Sequence, residues 1–266
     1  MRICFVGNSH LATAKFGWDA VAAEYPGVEA SFFGAIASIF TSTAIEDGKL
    51  VAKSEEAKQY FIRTSGGRDT VVFAEYDLVV LFALGFGLWC LLDYYDRFRW
   101  GDQNNSEGDY ELVSTGYFHE IVRTRLSRST AIQYRREIRR DSGSHAPKVW
   151  IYPEPMPSRS VLAAAPAQKS ALSTQRLSAL RQAAKWHDEK SLGDAFSAGS
   201  AALSRSEDVI FEQPAHTLDT PIFTQQEYSR GSISLGNLPD REDDFVHMNA
   251  RFGELMIRQI LERATG

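Results

Sequence analysis

The chain opens with a compact apolar run at residues 2 to 6 (Arg-Ile-Cys-Phe-Val), and from Leu11 to Glu24 apolar residues return at helical spacing: Leu11, Ala14, Trp18, Val21 and Ala22. A period that changes from strand to helix across Gly7-Asn8-Ser9-His10 predicts a strand, a sharp turn and a helix. Val28 to Phe33 predicts a second strand, stopped by Gly34, and Asp77 to Leu84 a third. The near-continuous apolar character of the third run is that of a strand covered on both faces, as in a parallel sheet flanked by helices. Lys148 to Tyr152, stopped by Pro153-Glu154-Pro155, and Asp208 to Glu212, stopped by Gln213-Pro214, predict two more strands. Helical periods cover Leu172 to His187 and Met248 to Ile260, the latter with Met248, Phe252, Leu255, Met256 and Ile260 on one side. Strands alternating with helices predict an α/β fold: a three-layer α/β/α sandwich around a mainly parallel, five-stranded sheet. Gly101 to Asp109, Ser158 to Ala171 and Gly193 to Ser206 read as loops or mobile covers.

Length changes this picture little. At 266 residues the chain suits one large domain over 1–266, with helical and loop insertions around 88–145 and 156–207. Hydrophobic residues make up 44% and charged residues 24%, enough apolar material for a packed interior. A formal charge of −5 gives no overall basic field, so no nucleic-acid partner is expected. The start, Met-Arg-Ile-Cys-Phe-Val-Gly, has no charged n-region followed by a long apolar core, and so does not look like a signal peptide. The longest apolar run, Leu78 to Leu92, is broken by Gly85 and Gly87 and falls short of the roughly 20 residues a membrane-spanning helix needs, so no membrane partner is expected either. Two cysteines, Cys4 and Cys90, make neither a disulfide framework nor a metal site, and the expected setting is cytoplasmic.

Seven arginines fall between Arg123 and Arg140 (123, 125, 128, 135, 136, 139 and 140), with Tyr134 the one interleaved aromatic. A solvated helical face is the plain reading, and a local anion-binding surface the sharper one.

The chemistry concentrates at the two ends of the chain. Ser9 lies on the turn after the first strand, at the carboxyl edge where α/β sheets place their ligands. A serine there has an exposed hydroxyl, a helix N-terminus beside it and a backbone N–H aimed into the crevice, so it is a candidate nucleophile; it could equally be the N-cap of the helix. No G-x-G-x-x-G or G-x-x-x-x-G-K-[ST] follows Gly7, which argues against a nucleotide-phosphate loop. Near the other end, Asp244-Phe245-Val246-His247 introduces the last helix. That spacing can set a carboxylate beside one imidazole nitrogen and leave the other free as a general base, with Ser9 as its proton donor. A capping Asp244 and an ordinary surface His247 are the alternatives.

G-N-S near the start together with D-x-x-H before the last helix resembles the SGNH (GDSL-like) hydrolases, whose first block is usually G-D-S. The resemblance spans most of the chain, from Ile3 to the last helix. It implies an SGNH/flavodoxin-like fold and a catalytic triad of Ser9, Asp244 and His247. It also implies an oxyanion hole built from the N–H groups of Ser9 and of Gly34, the glycine of the second block. In the third block the family commonly has G-x-N-D, with the asparagine as a further donor, whereas this chain has Gly85-Phe86-Gly87-Leu88. Gly87 then takes the asparagine position, and its N–H, or the side chain of Asn104 or Asn105, would have to substitute. Loss of one such donor costs on the order of 100- to 1000-fold in rate.

Asn8, in place of the family's aspartate, is expected to brace the turn; with His10, Asn104 and Asn105 it forms the candidate substrate-binding set, although His10 also reads as a buried structural histidine. His119, His145, His187 and His216 lack metal-ligand spacing, so neither a metal nor an organic cofactor is expected. The segment Phe211 to Gly231 is expected on the rim of the site. The leading expectation is a serine esterase that removes a small acyl group, with acetyl the simplest case, from a carbohydrate or similar polar substrate. The same parts could run a sugar O-acyl transfer. The rivals are a non-catalytic glycan- or metabolite-binding domain and an α/β interaction module in which both motifs only cap helices.

Overall fold

The computed structural model describes residues 1–101, 103, 109–141, 146–164, 174–235 and 244–266. Along the chain run β1 (Arg2–Gly7), α1 (Leu11–Val21), β2 (Glu29–Gly34), α2 (Ala37–Phe40), β3 (Thr43–Glu46), β4 (Lys49–Ala52), α3 (Glu55–Ser65), β5 (Thr70–Val72) and β6 (Leu78–Phe82). Next come α4 (Trp89–Tyr95), β7 (Phe98–Trp100), β8 (Glu111–Val113), α5 (Thr115–Leu126), α6 (Thr130–Asp141) and β9 (Lys148–Tyr152). The remainder holds α7 (Thr174–Lys185), α8 (Glu189–Ala201), β10 (Leu218–Thr220), β11 (Phe223–Thr224) and α9 (Ala250–Thr265).

The apolar runs become a four-stranded parallel sheet of order β2-β1-β6-β9, so the fold is α/β. Alternation along each strand divides its side chains between two cores. Ile3, Phe5, Phe32, Val80, Phe82 and Trp150 pack with Leu11 and Ala14 of α1 and with Met256, Ile257 and Ile260 of α9. Cys4, Val6, Phe33, Val79, Leu81, Val149 and Ile151 face a larger core that includes residues of α3, α4, α5, α6, α7 and α8. Phe5 is fully buried, and truncation of such a side chain to alanine typically costs about 3–5 kcal/mol.

Several boundaries differ from expectation. The fifth strand expected at 208–212 is reduced to a single bridge of Ile210 to Ile151, because only the Ile151 N–H to Val209 O and Phe211 N–H to Ile151 O bonds join it to the sheet. The expected loop from Gly193 to Ser206 is largely helix, α8. Its small residues serve close packing: a Cβ on Gly199 would lie 2.6 Å from Val122 Cγ1 of α5, and one on Gly193 2.5 Å from Pro221 Cβ. A separate antiparallel sheet, β3-β4-β5, was not anticipated. Its hairpin turns on Asp47-Gly48, both with positive φ (49° and 71°), the two-residue signal that suits the twist of paired strands. The last helix starts at Ala250, two residues after Met248, capped by Asn249 through its side-chain bond to the Phe252 N–H (3.1 Å). No helix among the described residues is long and apolar enough to cross a membrane.

Candidate active site

β1 delivers Ser9 to the carboxyl edge of the sheet. Gly7 closes the strand where only a glycine fits, since a Cβ there would lie 2.7 Å from Phe82 O on the neighbouring strand. Asn8 then folds the turn on itself: its carbonyl accepts from the Leu11 N–H (2.9 Å) and its Oδ1 from the His10 N–H (3.1 Å). The residue at the N-cap of α1 is His10, with no side-chain capping bond. Ser9 therefore caps nothing, and its Oγ instead lies 2.8 Å from His247 Nε2.

His247 stands in the segment before α9, so neither it nor Asp244 belongs to the helix entrance itself. Asp244 Oδ1 accepts from the N–H groups of Val246 (3.1 Å) and His247 (3.0 Å), and its Oδ2 lies 2.8 Å from His247 Nδ1. Burial pushes the Asp244 carboxyl up, but the hydrogen bond and charge of His247 and the two backbone donors outweigh it and hold the group below the usual carboxylate range. An ionised carboxylate can only accept, so the proton of a neutral His247 sits on Nδ1 and Nε2 is left to accept from the Ser9 hydroxyl. The three residues that the sequence singled out lie side by side.

What sets them side by side is the crossing of α1 and α9. Thr13 Oγ1 donates to Met248 O (2.8 Å), and the two helices meet at Gly17 and Gly253. His10 is buried and its ring lies against that of His247, with centroids 4.5 Å apart. Burial, and then the neighbouring His247, lower the His10 pKa well below 6.5, with Asp244 acting the other way. His10 is thus a buried histidine, packed on His247.

The expected oxyanion donors need correction. The Ser9 N–H has no acceptor among the described residues and stays available. Gly34 lies beside the turn, and a Cβ on it would meet Leu11 Cδ2 at 2.6 Å and Gly7 O at 2.9 Å, but its N–H donates to Thr64 Oγ1 of α3 (3.1 Å). Gly87 is buried against Glu154, whose Cβ would lie 2.8 Å from a Cβ at 87. The left-handed residues of this turn are Ala83 and Gly85 (both φ 68°), and it is Gly85 that lines a cleft of about 390 Å³ together with Asn8 and Glu154. Asn104 and Asn105 lie outside the described residues.

Glu154 escaped the sequence reading, which took Pro153-Glu154-Pro155 only as the end of a strand. The signal was its place: an acid two residues beyond a parallel strand, at the same edge as Ser9. Of the arginine-rich stretch, several members are paired within the fold. Arg139 binds the buried Asp208, Arg135 donates to Leu203 O (2.9 Å), and Arg123 pairs with Glu120. Neither of the expected readings describes Arg135, which is buried. No cluster among the described residues could hold a metal ion, and His145 lies outside them. From the segment 211–231, the Tyr228 carbonyl accepts from the Asn249 N–H (2.8 Å), which ties that loop to the start of α9.

Comparison of the chain with protein-family models and with curated proteins finds no match to either.

Proposed function

We propose that this chain is a serine hydrolase of SGNH type, a three-layer α/β/α domain that removes a small acyl group, acetyl in the simplest case, from a carbohydrate or similar polar substrate. One observation carries the reading: the continuous chain Ser9 Oγ, His247 Nε2, His247 Nδ1, Asp244 Oδ2, with 2.8 Å at each hydrogen bond. Ser9 Oγ attacks the ester carbonyl carbon as its proton passes to His247 Nε2, and the carbonyl oxygen becomes an oxyanion beside the Ser9 N–H. The imidazolium is stabilised by Asp244 and protonates the departing alkoxide, leaving an acyl-serine. Water then attacks that ester, gives its proton to His247, and the acid leaves as Ser9 recovers its hydrogen. A second hydroxyl in place of that water would make the reaction a transfer.

A non-catalytic glycan- or metabolite-binding domain is the second reading. It is favoured by the engagement of the Gly34 N–H with Thr64, which takes away one of the expected oxyanion donors. Labelling with a fluorophosphonate and turnover of an aryl acetate separate the two. The hydrolase reading expects modification at Ser9 that disappears in Ser9→Ala and His247→Ala, with turnover lost in both. Because Ser9 caps no helix, Ser9→Ala should change stability by less than about 0.5 kcal/mol in urea unfolding. Turnover by a folded Ser9→Ala protein equal to wild type would refute the mechanism.

A further inference from the structure

We propose that Glu154 is a positioning residue for Ser9, a carboxyl that ties the turn carrying the nucleophile to the turn after β6; the proposal rests on the hydrolase reading above. Three adjacent parallel strands, β1, β6 and β9, end at this edge, and each is followed by an irregular turn. Glu154 follows β9. Its N–H donates to Phe86 O (2.8 Å) and its Oε1 accepts from Asn8 Nδ2 (3.4 Å), while the Gly85 N–H is near enough to favour the ionised carboxyl. Asn8 uses its other side-chain atom, Oδ1, to hold the His10 N–H. Ser9 is thus bracketed by two residues whose geometry runs through one amide, and that amide is held by Glu154.

Two further observations agree. Gly87 leaves room for the Glu154 side chain, since a Cβ at 87 would lie 2.8 Å from Glu154 Cβ and 3.0 Å from Oε2. The turn after β6 twice takes a left-handed conformation, at Ala83 and Gly85, which an L-residue such as Ala83 disfavours and which external bonds must hold. Glu154 supplies such bonds while forming a wall of the cleft shared by Asn8, Gly85 and Tyr134. Its carboxyl is also sensitive to pH. Burial raises it to about 7, against the Gly85 N–H, the charge of Arg176 from α7 and the Asn8 amide, and the thiol of Cys90 from α4 faces it as well. Both donors bond an ionised carboxylate better than a neutral one, so the tie strengthens as Glu154 loses its proton.

The test compares wild type, Glu154→Ala and Glu154→Gln on an aryl acetate between pH 6 and pH 8. Glu154→Ala should lower kcat by about tenfold or more with KM within about threefold, the pattern of a misplaced nucleophile. Glu154→Gln should recover part of that loss, and the ratio of wild-type to Glu154→Gln kcat should climb with pH through about 7. Dividing by the variant cancels the titration of the triad, and a merely structural residue would leave the ratio flat. Wild-type kcat in Glu154→Ala, a flat ratio, or a change in KM alone would overturn the proposal. If Glu154→Ala does not fold, the Glu154→Gln ratio decides. Should wild type neither turn over ester nor label at Ser9, the hydrolase reading falls, and amide exchange then judges the tie by itself. Exchange at Gly85 and His10 about tenfold faster in either variant supports the tie, and unchanged exchange removes it.

Discussion

Gly17 of α1 and Gly253 of α9 touch backbone to backbone: a Cβ built on Gly17 would overlap the carbonyl carbon of Gly253, and one on Gly253 would overlap Thr13 O. The contact lies about two turns from Ser9 and from His247, so the closeness of the two helices decides whether His247 meets Ser9. Gly253→Ala in an ordinary helix would gain about 1 kcal/mol from propensity. Here it should instead lose about 1–3 kcal/mol to overpacking, read from the urea midpoint. Fluorophosphonate labelling of Ser9 should slow in the same variant, because the helices must separate.

Asp244→Asn keeps the shape of the carboxylate but reverses the demand on His247. An amide that offers N–H toward Nδ1 selects the tautomer with the proton on Nε2, which cannot accept from Ser9. On the proposed mechanism, kcat should fall by about 10⁴-fold with the fold retained. The native carboxyl is held below its usual range, so the stability it contributes is full above that range and is lost as pH falls through the native value. The stability difference between wild type and Asp244→Asn should therefore shrink as pH drops below about 4, measured by urea unfolding at stepped pH.

His10 adds to the same loss of stability in acid, at a higher pH. Burial and His247 depress its native pKa below 6.5, so the unfolded chain binds a proton that the native chain refuses. The stability linked to neutral His10 is complete above 6.5 and falls away as pH decreases. His10→Phe should lose less stability than wild type between pH 7 and pH 5, as read from the two urea midpoints.

The neighbouring glycines 85 and 87 should respond differently to asparagine. At Gly87 the new Cβ would lie 2.8 Å from Glu154 Cβ, so Gly87→Asn should destabilise the fold and slow ester turnover. Gly85 has φ 68° and open space around its Cβ position. Asparagine tolerates that backbone better than most residues, so Gly85→Asn should cost no more than about 1 kcal/mol. Thermal unfolding of the two variants separates them, and an aryl-acetate assay reads the effect of an amide placed on the cleft.

Local physics made much of this legible in the chain. Apolar runs stopped by glycine or proline became β1, β6 and β9, because a strand buried on both faces has little choice of residue, and the edge strand β2 is buried only from Phe32 to Gly34. The Ser9 turn and the Asp244-His247 pair were also visible, since each is a short-range arrangement. Small residues misled the reading of α8: Gly193 and Gly199 look like loop residues until Pro221 and Val122 are seen against them. The Asp47-Gly48 hairpin was within reach of the sequence and was overlooked.

Tertiary structure alone decided the rest, because a hydrogen bond between turns far apart in the chain depends on how helices cross and strands align, which no local period records. Ser9 and His247 are separated by 238 positions, and the packing of α1 against α9, with its glycine contact and the Thr13 to Met248 bond, brings them together. The Gly34 N–H had an open choice in the sequence and is taken by Thr64 of α3. Glu154 read as punctuation between two prolines, and came to touch Asn8 and Phe86 only once β9 lay beside β6 and β6 beside β1.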